Sequence, residues 1–244
     1  MVLTFLIALI GVFLASVLRG FTGFGFGLAA VPLLSLALPP AQVVPFVVLL
    51  QVVVGAGGLR NAWYQCDWRA MRGLAPGLFV GIPLGLLILT AFKPNTVRLA
   101  IGLIIAASVV LLWKGARLPP RPSRVVTMAV GMLSGVISGL ASMGGPPVVV
   151  YLLAVGHGAA AVRATSIVYF MLSGLTSAVA MGFRGLIDQE ILLWSVAAVP
   201  AAYGGNWVGT WAFHKAKPHH HRMTALIVLS ILAAVLIARA LAAG

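Results

Sequence analysis

Long apolar segments recur along the whole sequence and constrain its fold more than any other feature. Segments 73–92, 164–183 and 191–213 each hold about 20 residues without a charged side chain, which is the length that a helix needs to cross a bilayer core of about 30 Å. Of the 244 residues, 61% are hydrophobic and only 8% are charged, against about 25% charged in soluble domains. The sequence therefore predicts an all-α polytopic membrane protein surrounded by lipid bilayer.

Two glycine-rich motifs interrupt this pattern, GFTGFGFGL at 20–28 and GLASMGGPP at 139–147. Glycine and proline disfavour helix interiors, and the apolar segments that follow, 27–38 and 147–156, are short. A helix of 10–12 residues covers about 15–18 Å, or half of a bilayer. Each motif is therefore predicted to be the tip of a re-entrant hairpin, with a simple kink or tight helix packing as the alternative.

The two halves of the sequence resemble each other. The two motifs stand 119 residues apart, and farther along the offset is 124, so that Lys93-Pro94 matches Lys217-Pro218. We expect a first repeat over 1–113, a basic linker over 114–124 and a second repeat over 125–244. One hairpin and three full crossings in each half would make the two repeats pseudo-symmetric and inverted, a plan common among transporters.

The net charge of +13 is interpreted as a topology signal. With two hairpins, 11 of the 16 Lys and Arg fall on one side of the membrane, in 60–72, 114–124, 157–163 and 214–222. Basic residues collect in cytoplasmic loops, so the linker is predicted to be cytoplasmic and both termini external. A nucleic-acid partner is not expected.

The longer motifs GFTGFGFGLAAVPLL (20–34) and GLASMGGPPVVVYLL (139–153) resemble those of the TauE/SafE sulfite-exporter family. The resemblance implies a multi-pass transporter of a prokaryotic plasma membrane, with about eight transmembrane segments. It also implies a sulfur-containing anion, such as sulfite or an organosulfonate, as the solute. The glycine motif of the family corresponds here to Gly20, Gly23, Gly25 and Gly27, and to Gly144, Gly145 and Pro146.

A broken helix inside a membrane leaves backbone groups that lipid cannot satisfy. The N-terminus of the returning half-helix carries partial positive charge and free N–H groups, which attract anions. We therefore expect a midplane anion site between the two breaks. Further candidates are Thr22 and Ser142 as hydroxyl donors, Phe24 and Met143 as walls, and Gln51, Tyr151, Tyr169 and Asn206, which could instead form hydrogen bonds between helices.

Arg19 is the strongest single candidate for a residue that binds the anion. If the first helix turns near residue 20, this charge lies deep in the protein, where charges are costly and usually functional. If residues 1–19 span completely, Arg19 lies at the interface. Its counterpart in the second repeat is Ser138, so the expected site is asymmetric.

These features favour a secondary carrier or facilitator for a small anion over an intramembrane enzyme and over metal permeation. A channel is the open alternative, since the sequence does not separate it from a carrier. An intramembrane enzyme is disfavoured, because a serine nucleophile needs a base and no histidine lies in an apolar segment. Metal permeation and proton coupling are disfavoured because the three acids lie in loops or at their edges. No cofactor, metal or catalytic residue is expected.

Two glycine series are predicted to serve packing. Gly77, Gly81 and Gly85, like Gly131, Gly135 and Gly139, are spaced by four residues. This spacing places each series on one helix face, where small residues allow close approach of a neighbouring helix.

Overall fold

The computed structural model describes residues 2–22, 26–114, 122–215 and 218–242. Apart from one 3₁₀ turn at Ala56–Gly58, the regular structure in these ranges is α-helical. The helices are α1 (Val2–Thr22), α2 (Phe26–Ser35), α3 (Pro40–Gly55), α4 (Leu59–Gln65), α5 (Trp68–Ala91), α6 (Pro94–Lys114), α7 (Arg124–Ala141), α8 (Gly145–Ala154), α9 (Ala159–Phe183), α10 (Gln189–Lys215) and α11 (Pro218–Ala242).

The predicted membrane-spanning character is confirmed. Within the described ranges, α1, α5, α6, α7, α9 and α10 are long and apolar enough to cross a bilayer. A seventh span results if α3 and α4, which are bent by 75° at the 3₁₀ turn, count as one. The chain is thus a multi-pass helical membrane protein, and the part that the structure describes contains six or seven such spans.

Helices α2 and α8 are the short elements that the sequence predicts after each motif. Each has 10 residues, about 15 Å of helix. The break before α8 begins at Ser142, whose φ of 53° lies in the left-handed region and ends α7. Proline then follows in the first turn of α8, where its fixed φ suits a helix start.

Helix α8 runs back along α7. Near the end of α8, the Tyr151 hydroxyl lies 2.8 Å from Thr127 Oγ1, which is near the start of α7. At the break, Ser134 Oγ of α7 donates a hydrogen bond to the Gly144 carbonyl.

The glycine series of α5 and α7 confirm their predicted packing role, and glycines outside these series play the same role between α1 and α10. Helix α5 packs along α7, and α10 packs along α1. A Cβ on Gly139 would overlap the Ile82 carbonyl of α5, and one on Gly20 would overlap the Asn206 carbonyl of α10. These two contacts occupy equivalent positions at the offsets of 119 and 124 residues, so α1–α10 and α7–α5 pack alike.

Candidate functional site

The two helix breaks meet at a cavity of about 550 Å³. Gly27, in the first turn of α2, lies directly against Ser142, because a Cβ on Gly27 would overlap the Ser142 carbonyl oxygen. Ser142 Oγ in turn donates a hydrogen bond to Gln51 Oε1 of α3, at 3.2 Å. Residues that are 115 positions apart in the sequence therefore form one wall.

Half of the sixteen predicted site residues line this cavity. They are Arg19, Gly20, Gly27, Gln51, Ser142, Met143, Gly144 and Gly145. Gly23, Phe24, Gly25 and the side chain of Thr22 lie outside the described part of the chain.

The other four predicted residues, Pro146, Tyr151, Tyr169 and Asn206, are not among the lining residues. Tyr151 is buried against Thr127, as described above, and Tyr169 is fully buried with its hydroxyl 3.4 Å from the Gly131 carbonyl. Pro146 is buried in the first turn of α8. The Asn206 carbonyl lies against Gly20. All four positions lie in contacts between or within helices.

Arg19 lies at the C-terminal end of α1 and lines the cavity. Its Nη1 atom is buried, and no described residue accepts a hydrogen bond from it. A buried donor without a partner is costly, so the guanidinium is suited to hold an acceptor that enters the cavity. The hydroxyl of Ser166, which also lines the cavity, is likewise buried without a partner among the described residues.

The start of α8 offers fewer donors than an ordinary helix start. Pro146 and Pro147 occupy its first turn and have no N–H. The amides of Gly144 and Gly145 remain, and the hydrogen bonds found in the described ranges include none donated by either. Two backbone donors without a described acceptor therefore remain beside the cavity, whereas the one proton of the Ser142 hydroxyl is donated to Gln51 Oε1.

One face of α9 completes the cavity, and the sequence reasoning missed it. Arg163, Ser166, Phe170 and Ser173 line the cavity at spacings of three and four residues, which place them on one helix face. Ser173 Oγ donates to Ser138 Oγ at 2.9 Å. A basic residue followed by serines at helical spacing, inside an otherwise apolar segment, was the signal available in the sequence.

The cavity wall carries two cationic side chains, Arg19 and Arg163, and no carboxylate appears among its lining residues. Its remaining surface includes apolar side chains such as Phe26, Val149 and Met171. The electrostatics therefore favour a negatively charged solute.

A second polar cluster joins the two halves outside the cavity. Asp67 caps α5 by accepting hydrogen bonds from the amides of Arg69 and Ala70, and it pairs with His157 in the loop after α8. The amide of Asp67 donates to Thr165 Oγ1 at 2.9 Å. Partial burial of the carboxylate opposes its ionisation, but the hydrogen bonds from His157 and the two amides outweigh burial and hold the pKa of Asp67 below its usual value.

Comparison with known proteins identifies the family. The family model described as sulfite exporter TauE/SafE matches residues 7–236. The chain belongs to the TauE/SafE family. Membership confirms the predicted resemblance and places the chain among membrane transporters rather than enzymes.

This TauE/SafE chain is similar to a curated relative, the probable sulfite/organosulfonate exporter TauE of Cupriavidus necator. The two are 26% identical over 195 residues, which cover 77% of this chain and 76% of the relative. No solved structure matches the chain.

Proposed function

We propose that this protein is a secondary carrier for a small sulfur-containing or organic anion. The observation that carries the proposal is the cavity between the two helix breaks, where a buried guanidinium nitrogen of Arg19 has no described partner. An arginine can hold two oxygens of a sulfonate or carboxylate side by side. The relative from Cupriavidus necator is named for sulfite and organosulfonates, which favours these anions over others.

In this proposal the anion accepts hydrogen bonds from Arg19 and from the amides of Gly144 and Gly145, and the Ser142 hydroxyl turns from Gln51 Oε1 to donate to the bound anion. Met143, which is 2% exposed, forms an apolar wall. A cavity of about 550 Å³ falls in the usual size range of small-molecule sites, about 300–1,000 Å³. It has room for an organosulfonate or for a smaller anion with several water molecules.

The architecture that we propose has two inverted repeats, 1–113 and 125–244, joined by a cytoplasmic linker at 114–124, of which 115–121 lie outside the described residues. Each repeat has a re-entrant hairpin, α1–α2 or α7–α8, and the full count of membrane segments is about eight. The contact of Tyr151 with Thr127 supports the second hairpin. Arg98, at the start of α6, binds the end of α2, because its Nε donates a hydrogen bond to the Ser35 carbonyl at 2.8 Å.

We place the protein in a prokaryotic plasma membrane.

The proposal is tested by uptake into proteoliposomes with sulfite, sulfate, sulfoacetate, other sulfonates and carboxylates. A carrier shows saturable flux that is accelerated by anion on the opposite side of the membrane, whereas a channel shows no such acceleration and its flux does not saturate in the same concentration range. Absence of flux for every anion would reject the proposal.

A cavity-filling variant ties that flux to the site. Gly145 lines the cavity, and a Cβ there would meet Phe170 Cζ at 3.2 Å, so Gly145→Leu should fill space that the anion needs. Gly182→Leu is the matched control, because nothing lies within 4 Å of a Cβ at that position. Equal flux in the folded Gly145→Leu protein and the control would reject this cavity as the anion site.

A further inference from the structure

Arg163 is the second positive charge of the cavity wall, and its surroundings differ from those of Arg19. It lies near the start of α9, which begins at Ala159 just after the loop at 156–158, and its side chain is exposed. The same side chain lines the cavity. Arg163 therefore connects the outside of the protein with the cavity interior.

Polar groups continue inward from Arg163 along the same face of α9. Ser166, one turn deeper, has a buried hydroxyl without a partner among the described residues. Ser173 lies ten residues beyond Arg163, about 15 Å along the helix, and bonds Ser138 at the break. An anion that enters beside Arg163 would thus find a hydroxyl on its way to the level of the break.

The equivalent route in the other half is sealed by apolar packing. At the offset of 119 residues, Arg163 corresponds to Val44 and Ser166 to Val47, and both valines are 0% exposed. They belong to a core cluster that also contains Val43 and Phe46. The first turns of α3 therefore carry no charge and do not line the cavity, whereas the first turns of α9 carry Arg163 and do line it. A separate pocket of about 50 Å³ beside Gln42 and Phe46 shares no lining residue with the cavity and is flanked by Asp188 and Glu190.

Asp67 is the carboxylate whose backbone is bound to this end of α9, because its amide donates a hydrogen bond to Thr165. Asp67 is not a lining residue, and its charge is paired with His157. No carboxylate among the cavity-lining residues therefore neutralises the positive charge of Arg163, which remains available to attract an incoming anion.

We propose that Arg163 captures the anion at a one-sided entrance, next to the loop at 156–158, and delivers it to Arg19. This inference rests on the proposed function, since it assigns the entrance of the same site. Charged clefts raise the association rate of an oppositely charged solute, and salt suppresses this effect. Arg163 thus acts on how fast the anion arrives, whereas Arg19 acts on how tightly it is held.

The kinetic test compares Arg163→Gln with Arg69→Gln, which neutralises an exposed arginine at the start of α5 that does not line the cavity. In low salt, Arg163→Gln should raise the KM for sulfoacetate or sulfite uptake about tenfold with little change in kcat. The difference should shrink in high salt, and Arg163→Lys should retain the wild-type KM. Arg69→Gln should change neither parameter.

An unchanged KM and salt dependence in Arg163→Gln would overturn the capture role and leave Arg163 as an anchor at the membrane surface. That result is distinguishable from failure of the proposed function. If the cavity is the anion site but Arg163 is not its entrance, Arg19→Gln still weakens uptake. If the cavity is not the site, neither variant does.

Thiol labelling tests the sidedness. In a Cys66→Ala background, Arg163→Cys and Val44→Cys are treated in substrate-free proteoliposomes with a membrane-impermeant, negatively charged methanethiosulfonate. The cysteine at 163 should react from one side only and lose uptake on reaction, whereas the cysteine at 44 should remain unlabelled. Equally fast labelling at 44 would show an open route through α3 and overturn the one-sided entrance.

Discussion

Replacing Arg19 by methionine should make the protein more stable and its anion binding weaker. The buried Nη1 atom has no described acceptor, and an unsatisfied buried donor costs about 1–3 kcal/mol. The position of Arg19 in the last turn of α1 offsets part of this cost, since a cation there gains up to about 1 kcal/mol from the helix dipole. We therefore expect Arg19→Met to raise the free energy of unfolding of the empty protein by about 1–2 kcal/mol.

The same substitution removes the main charged contact of the bound anion. A hydrogen bond to a charged group contributes about 1.5–3 kcal/mol, so the Kd should rise about 10- to 150-fold. At a ligand concentration of about 100 times the Kd, a bound anion stabilises the wild type by about 2.7 kcal/mol. About half to nine-tenths of that stabilisation should be absent from Arg19→Met at the same concentration.

Thermal unfolding in detergent, with and without anion, measures both effects in one experiment. The control is Arg60→Met, which removes an exposed arginine of α4 that does not line the cavity. The reasoning is refuted if Arg19→Met unfolds at a lower temperature than the wild type and keeps the full anion-dependent shift. That combination would mean that Arg19 is paired in the empty protein and is not a ligand.

Three other perturbations have clear expected outcomes. Ser142→Gly should be about 1 kcal/mol more stable than Ser142→Ala in thermal unfolding of the empty protein, because both variants lose the bond to Gln51 and only glycine is unstrained at this left-handed φ. Gly144→Ala should greatly reduce the yield of folded protein in size-exclusion chromatography, because its Cβ would overlap serine oxygens of α7, whereas Gly145→Ala should still fold. Asp67→Asn should be less stable than the wild type at pH 7. The folded-state pKa of Asp67 lies below its usual value near 3.8, so the ionised carboxylate stabilises the folded protein above pH 3.8. The difference in stability should vanish as the pH falls through the folded-state pKa. Thermal unfolding followed from pH 7 down to strongly acidic pH measures this difference, and a difference that does not change with pH would show that the charge of Asp67 and its pairing with His157 do not matter.

The sequence predicted the helix breaks well because helix breaking is a local property. Glycine, proline and the length of an apolar run act on neighbouring residues, so α2 and α8 could be placed without any knowledge of packing. The glycine series were equally readable, because their spacing of four residues defines a helix face.

The sequence was a poorer guide to which polar side chains reach the cavity. Tyr151 and Tyr169 lie in apolar segments as the candidate ligands do, yet their hydroxyls contact α7. Arg163 lies at a helix start, where an arginine usually faces solvent or lipid headgroups, and yet it also lines the cavity. In each case the rotation of the helix about its axis decides the outcome, and that rotation depends on contacts with other helices.

By itself, the sequence determined that this protein is a helical membrane protein with two matched helix breaks, because the length of an apolar segment and the positions of glycine and proline are local properties of the sequence. Only the tertiary structure decided that Gly27 meets Ser142, that α9 supplies a wall of the cavity and that the equivalent surface of α3 is sealed by valines. These outcomes depend on close packing between segments more than a hundred residues apart, where the loss of a single Cβ determines how near two backbones can approach.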